Sequence, residues 1–166
     1  MATNKLSNLN LAAMLSATLT GGSVPAYISS AISEPPTQQS GPQLTVGNAS
    51  GQVDVVYCGN FTITAGTPLT INLGTCLDPL GGNASMLHVA VIIVANTNSS
   101  GGNLTIGGGT DPVLGSDVNT IMPGGVIFKI NQSPGYPVVA SASDTLTITA
   151  SIGTVTGRIT VLGRDA

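Results

Sequence analysis

The chain carries one histidine, His88, set in the apolar run of residues 86 to 95 (MLHVAVIIVA). A catalytic triad built on it needs a nucleophile that the imidazole can deprotonate and an acid that orients the ring. No G-x-S-x-G elbow is present, and Ser50 in GNASG is displaced by one position. His88 therefore reads as a core or strand-end residue. Cys58 and Cys76 stand 18 residues apart, do not form a C-x-x-C pair, and with one histidine cannot complete a four-ligand zinc site. A bridge between them would stabilise by about 3 kcal/mol, but a chain of this length does not need a staple, so two reduced, unreactive thiols are expected. Asp111 and Asp117 lie in a glycine-rich stretch, GGGTDPVLGSD, of the kind that supplies oxygen ligands to hard cations. The calcium-binding repeat G-G-x-G-x-D is not reproduced, and a loop with Asx-type turns is expected instead. Lys129 follows Phe128 in a strand pattern, so no P-loop is present, and each Asp adjoins a turn or strand end, where structural roles dominate. Six N-x-[ST] sites, at Asn48, Asn60, Asn83, Asn98, Asn103 and Asn131, follow from a composition rich in Asn, Ser and Thr. The expectation is a protein that is not an enzyme and binds neither cofactor nor metal.

The elements that position these residues divide near residue 42. Residues 4 to 20 are helix-like, with Thr3 or Asn4 as a cap and Gly21-Gly22 as a stop. At 100° per residue, Leu6, Leu9, Ala13 and Ala17 make one apolar stripe, and Leu11, Ala12, Leu15 and Leu19 make a second almost opposite. A helix greasy on two sides wants two partners, which marks Leu6, Leu9, Leu11, Leu15 and Leu19 as partner-binding residues of an N-terminal arm. Residues 33 to 42 (SEPPTQQSGP) read as an extended Pro-rich linker, closing an arm over 1–42 ahead of a domain over 43–166. Residues 11 to 26 faintly resemble a signal peptide ending in Val24-Pro25-Ala26, although a cytoplasmically made protein is the preferred reading.

From residue 43 the pattern has period two. Val53, Val55 and Tyr57 alternate with Gln52, Asp54 and Val56, and Phe61 and Ile63, then Leu69, Ile71 and Leu73, then Leu146 and Ile148, and finally Val155, Ile159 and Val161 alternate with polar neighbours. The run at 86–95 is apolar on both faces and predicts a central strand, and in the later VIFKI stretch Val126, Phe128 and Ile130 point one way while Lys129 points the other. Seven to nine short strands separated by Gly, Asn and Pro turns predict an all-β fold, an antiparallel β-sandwich or jelly roll.

Composition narrows the function. Of 166 residues 7% are charged, against about 25% in an average soluble protein. Four basic residues and a net charge of -3 remove the driving force for binding nucleic acid or an anionic membrane, and the absence of Trp, with three Tyr and two Phe, removes stacking platforms. The longest apolar run, Val89 to Ala95, is too short to span a bilayer. Outward threonines suit an exposed pleat but lack the Lys and Glu with which monomeric sheet proteins guard their edges, so much of this surface is expected to be covered in an assembly.

Residues 86 to 165 resemble the small β-sandwich virion proteins of tailed bacteriophages that decorate or cement the head. The resemblance rests on the Pro123-Gly124-Gly125 turn entering VIFKI, on Asp144-Thr145-Leu146-Thr147-Ile148, and on the closing strand RITVLGR. It implies a non-enzymatic virion subunit, homo-oligomeric and often trimeric, made in the host cytoplasm and bound to the major capsid protein on the capsid surface, with an N-terminal arm that grips neighbours. The alternative is a receptor- or carbohydrate-binding module of a phage fibre, collar or tail, for which Tyr136, between Gly135 and Pro137, is the attractive aromatic; anchoring its own loop is the simpler role for that residue.

Overall fold

The computed structural model describes residues 44 to 166 apart from Pro79 and Gln132. The expected arm and linker, with Leu6, Leu9, Leu11, Leu15 and Leu19, lie outside the described residues. Among those described the fold is all-β, with eleven strands: β1 Thr45–Val46, β2 Gln52–Val53, β3 Val55–Thr64, β4 Leu69–Asn72, β5 His88–Asn96, β6 Leu104–Ile106, β7 Asn119–Ile121, β8 Val126–Ile130, β9 Tyr136–Pro137, β10 Thr145–Ala150 and β11 Thr154–Arg164. The count exceeds the seven to nine expected because β1, β2 and β9 are two-residue pairings too short to leave a periodic signature.

The pairing follows one rule. β3 pairs with β11, β4 with β10, β5 with β8 and β6 with β7, all antiparallel, so residues 55 to 106 run back against residues 119 to 164 like one long hairpin whose tip is the loop between β6 and β7. Cross-pairings of β11 with β5 and of β10 with β6 then gather these ribbons into two sheets, ordered β3-β11-β5-β8, with β9 also on β5, and β4-β10-β6-β7. A separate small parallel pair joins β1 to β2.

Alternation decides which side of each strand is buried. From the first sheet Val55, Ile63, Val89, Ile92, Val94, Val155, Ile159 and Val161, and from the second Ile71, Leu104, Ile106, Ile121, Leu146 and Ile148, join one buried cluster. β5 lies between β11 and β8, the interior position its doubly apolar run predicts. The alternation read through Val53, Val55 and Tyr57 is broken in the structure at Asp54, which separates β2 from β3. Asp54 is buried; its N–H donates to the Gly163 carbonyl at 3.0 Å, and its Oδ1 accepts from the Asp165 N–H at 3.2 Å, fixing the chain ends of the sheet to each other.

One buried polar residue joins the two sheets at the end of β5. Asn96 donates from Nδ2 to the carbonyls of Gly102 at 3.0 Å and Ile121 at 3.3 Å, while its Oδ1 accepts from the Asn98 N–H at 3.2 Å. Its main chain donates to Gly125 O and accepts from Gly124 N. Beside it the backbones are so close that a Cβ on Gly102 would stand 2.4 Å from the Ile152 carbonyl oxygen, which explains glycine there.

Candidate interaction surface

Residues opposite one another across antiparallel strands share a face, so the register reads out the outer face of the β3-β11-β5-β8 sheet in rows. Ile130, Val91, Leu162 and Val56 form the first row, Phe128, Ile93, Thr160 and Cys58 the second, and Val126, Ala95, Arg158 and Asn60 the third. Beyond them Thr156 stands opposite Thr62, and Thr154 opposite Thr64. The face grades from hydrocarbon at one end to hydroxyl and amide at the other.

Apart from Ile130, the first row is covered. Val53, Ala90, Val91 and Leu162 make a second buried cluster, and Leu44, Val56 and Ile93 pack against it, so the segment around β2 seals this end. The hydroxyl end satisfies itself: Thr64 and Thr154 hydroxyls lie 3.2 Å apart, those of Thr97 and Thr156 3.0 Å apart, and Asn98 Oδ1 accepts from the Thr156 N–H at 3.1 Å and hydroxyl at 2.6 Å. Arg158 donates from Nε to Asn60 Oδ1 at 3.0 Å. A groove of about 400 Å³ runs over this part, lined by Asn60, Phe61, Thr62, Thr97, Thr156 and Arg158 among others.

The β8 margin is different. Val126, Phe128 and Ile130 are exposed at 62%, 47% and 46%, whereas Ile127 is half-buried and the Lys129 side chain retains 14% of its exposure. Three apolar residues face out and the charged one faces in, the reverse of an ordinary half-buried strand. Lys129 can face inward because its ammonium is paired with the Asp117 carboxylate from the β6–β7 loop, which also accepts from Asn119 Nδ2 at 3.0 Å. The Lys129 bond, and then that from Asn119, hold the Asp117 carboxyl below the ordinary aspartate range.

The residues that could have done chemistry are kept apart. His88 opens β5 as a strand-end residue; burial, and then the Arg164 charge, lower its pKa, and its buried Nδ1 has no hydrogen-bond partner. Cys58 and Cys76 are both free, Cys58 exposed on the outer face and Cys76 buried. Burial pushes the Cys76 thiol up to about 11, which leaves it protonated and inert at neutral pH, and its Sγ–H donates to the Ala84 carbonyl at 3.2 Å. Burial also raises the Tyr57 hydroxyl, with the two thiols adding to the shift. Ser50 shares a hydroxyl hydrogen bond of 2.8 Å with Ser133. Asp111 sits in the left-handed region at φ 50° and Asp117 is engaged by Lys129; no group of three or more metal-ligating side chains occurs among the described residues. Tyr136 opens β9 opposite Val89 and packs half-buried on the main cluster, so it anchors its segment rather than presenting a free ring.

Sequence reasoning missed two features: the joint made by Asn96 and the outward apolar stripe of β8. The first has no signal beyond an Asn ending an apolar run. The second was visible as alternation, but alternation does not say which side is in. No family model, characterised protein or solved structure matches this chain.

Proposed function

We propose that this chain is a non-enzymatic structural subunit of a virion, a decoration or cement protein that associates with its own copies and with the major capsid protein to stabilise the shell. The observation that carries the reading is the outer face just described, where exposed apolar residues of β8 stand beside outer rows whose one exposed charged side chain is Arg158. A surface of this kind gains by being covered, since burial contributes about 25 cal/mol per Å² of apolar area and repetition over a shell multiplies weak contacts. The pairing of first strand with last, second with next-to-last and so inward is the connectivity of an eight-stranded jelly roll, and we read the two sheets as such a sandwich. Jelly rolls build viral capsid and lectin domains, so the fold agrees with the reading while the surface selects within it. The arm over 1–42 would grip neighbouring subunits through its leucines. Mass spectrometry of particles purified from the source tests this reading: copies in stoichiometric ratio to the major capsid protein are expected, and particles without the chain would refute it.

A carbohydrate-binding role is the second reading, and the groove over Asn60, Thr62, Thr97 and Arg158 favours it, since a polar cleft of about 400 Å³ is within the size range of small-ligand sites. Glycan-array binding lost on Arg158→Ala would move it ahead of the first.

A further inference from the structure

We propose that β8 is a homotypic docking edge, through which two copies of this chain join as antiparallel neighbours about a two-fold axis at Phe128. This rests on the assembly reading only for the premise that the chain self-associates. Among the described residues β8 pairs with β5 alone, so its other side is an open sheet edge. The ladder bonds from Asn131 N to Ala90 O and from Asn96 N to Gly125 O, both 2.9 Å, place the odd-numbered residues of this segment with their main chain toward β5. In an antiparallel ladder the alternate residues then turn their N–H and C=O away, so Val126, Phe128 and Ile130 offer three donors and three acceptors along the open side.

The partner that fits is a second copy, because the strand is complementary to itself. With the axis at Phe128, Phe128 stands opposite the partner copy's Phe128, Val126 opposite its Ile130 and Ile130 opposite its Val126. These are pairs of the hydrogen-bonded type, and every outward N–H and C=O of the three residues finds a counterpart. The same three side chains meet on the outer face, with an aromatic pair flanked by two β-branched pairs, the contacts that stabilise antiparallel sheets. On the other face Lys129 meets the partner copy's Ile127, not a second lysine, and each lysine keeps its Asp117 counter-ion. Natural edges are guarded by outward charges, by Pro or by inward-pointing charges. VIFKI has no Pro and no outward charge, and its inward lysine is neutralised. The opposite edge, β3, turns Cys58, Asn60, Thr62 and Thr64 outward and offers no comparable apolar stripe. A two-fold contact yields dimers, so any three-fold association would use another surface.

The test is cysteine cross-linking in the full chain with Cys58→Ser as background, joined to sedimentation analysis of mass. Paired residues of this type have Cα atoms about 5.5 Å apart, within disulfide range, whereas residue 126 of one copy lies several residues from residue 126 of the other. Phe128→Cys is expected to form a covalent dimer under mild oxidation at least tenfold faster than Val126→Cys, and Val126→Cys with Ile130→Cys to restore the cross-link. Phe128→Lys is expected to weaken self-association at least tenfold and Thr62→Lys, on the β3 edge, to leave it unchanged; circular dichroism checks that each variant folds. Equal cross-linking at 126 and 128, none at 128, or an unchanged mass for Phe128→Lys would overturn the proposal. If the chain is nonetheless found in particles, those outcomes leave the assembly reading standing and assign the edge to another occupant.

Discussion

Removing the Asn96 amide should cost more than any other single polar change among the described residues. The side chain makes three hydrogen bonds, two to buried carbonyls and one from the Asn98 N–H, at 3.0, 3.3 and 3.2 Å. Each such bond contributes about 1 kcal/mol net, and Asn96→Ala leaves the Gly102 and Ile121 carbonyls without their partner in a region closed to water, so a loss of about 3 kcal/mol is expected. Against a domain stability of about 5 to 15 kcal/mol that is a large fraction. With a urea slope near 2 kcal/mol/M the unfolding midpoint should fall by about 1.5 M, the slope itself staying constant. Asn98→Ala is the control. Its bonds to Thr156 are at the surface, where water replaces them, and the cost should stay below about 1 kcal/mol. Equal midpoints for the two variants, or a loss under about 1 kcal/mol for Asn96→Ala at unchanged slope, would show that Asn96 does not hold the sheets together.

Gly102→Ala should destabilise by about 1 to 3 kcal/mol in the same assay, because its Cβ would meet a backbone oxygen, which cannot swing aside as a side chain can. Cys76 predicts an alkaline limit: its folded pKa, about 11, lies above the ordinary thiol value, so its contribution is intact below about pH 9 and is lost as the pH rises toward 11, about 3 kcal/mol at most, and Cys76→Ala should flatten that part of a pH–stability curve. His88 predicts an acid limit: with its pKa lowered, the folded state resists protonation, so stability holds above the usual histidine range and falls as the pH drops through and below it, and His88→Gln should reduce that fall in thermal melts between pH 7 and 5.

Much of the first sheet was legible because β3 and β11 are long and alternate over much of their length. Residues 86 to 95, apolar on both faces, read as a central strand, and β5, which spans His88–Asn96, lies between β11 and β8. The second sheet was readable from Leu146 and Ile148 between threonines and from Leu69 and Ile71. Short pairings such as Tyr136–Pro137 escaped because two residues carry no period. The orientation of β8 escaped for a different reason. Lys129 marks one side of VIFKI as polar, and only the distant Asp117, brought close by the fold, allows that side to turn inward. The structure places His88, Cys58 and Cys76 on separate segments, whereas the outer face is a property of register between strands up to about a hundred residues apart, as with Arg158 and Asn60, which no local pattern records.

The position of β11 also governs how the protein can be made. It lies between β3 and β5, so the sheet holding the outer face cannot exist until residues 154 to 164 are available. Because synthesis runs from the N-terminus, residues 65 to 153 must emerge before β3, the earliest long strand, meets its partner, and closing such distant pairings is slow. Nascent chains would spend that interval with β3 unpaired and one side of β5 open, a window of aggregation risk that ends only when β11 slots between them.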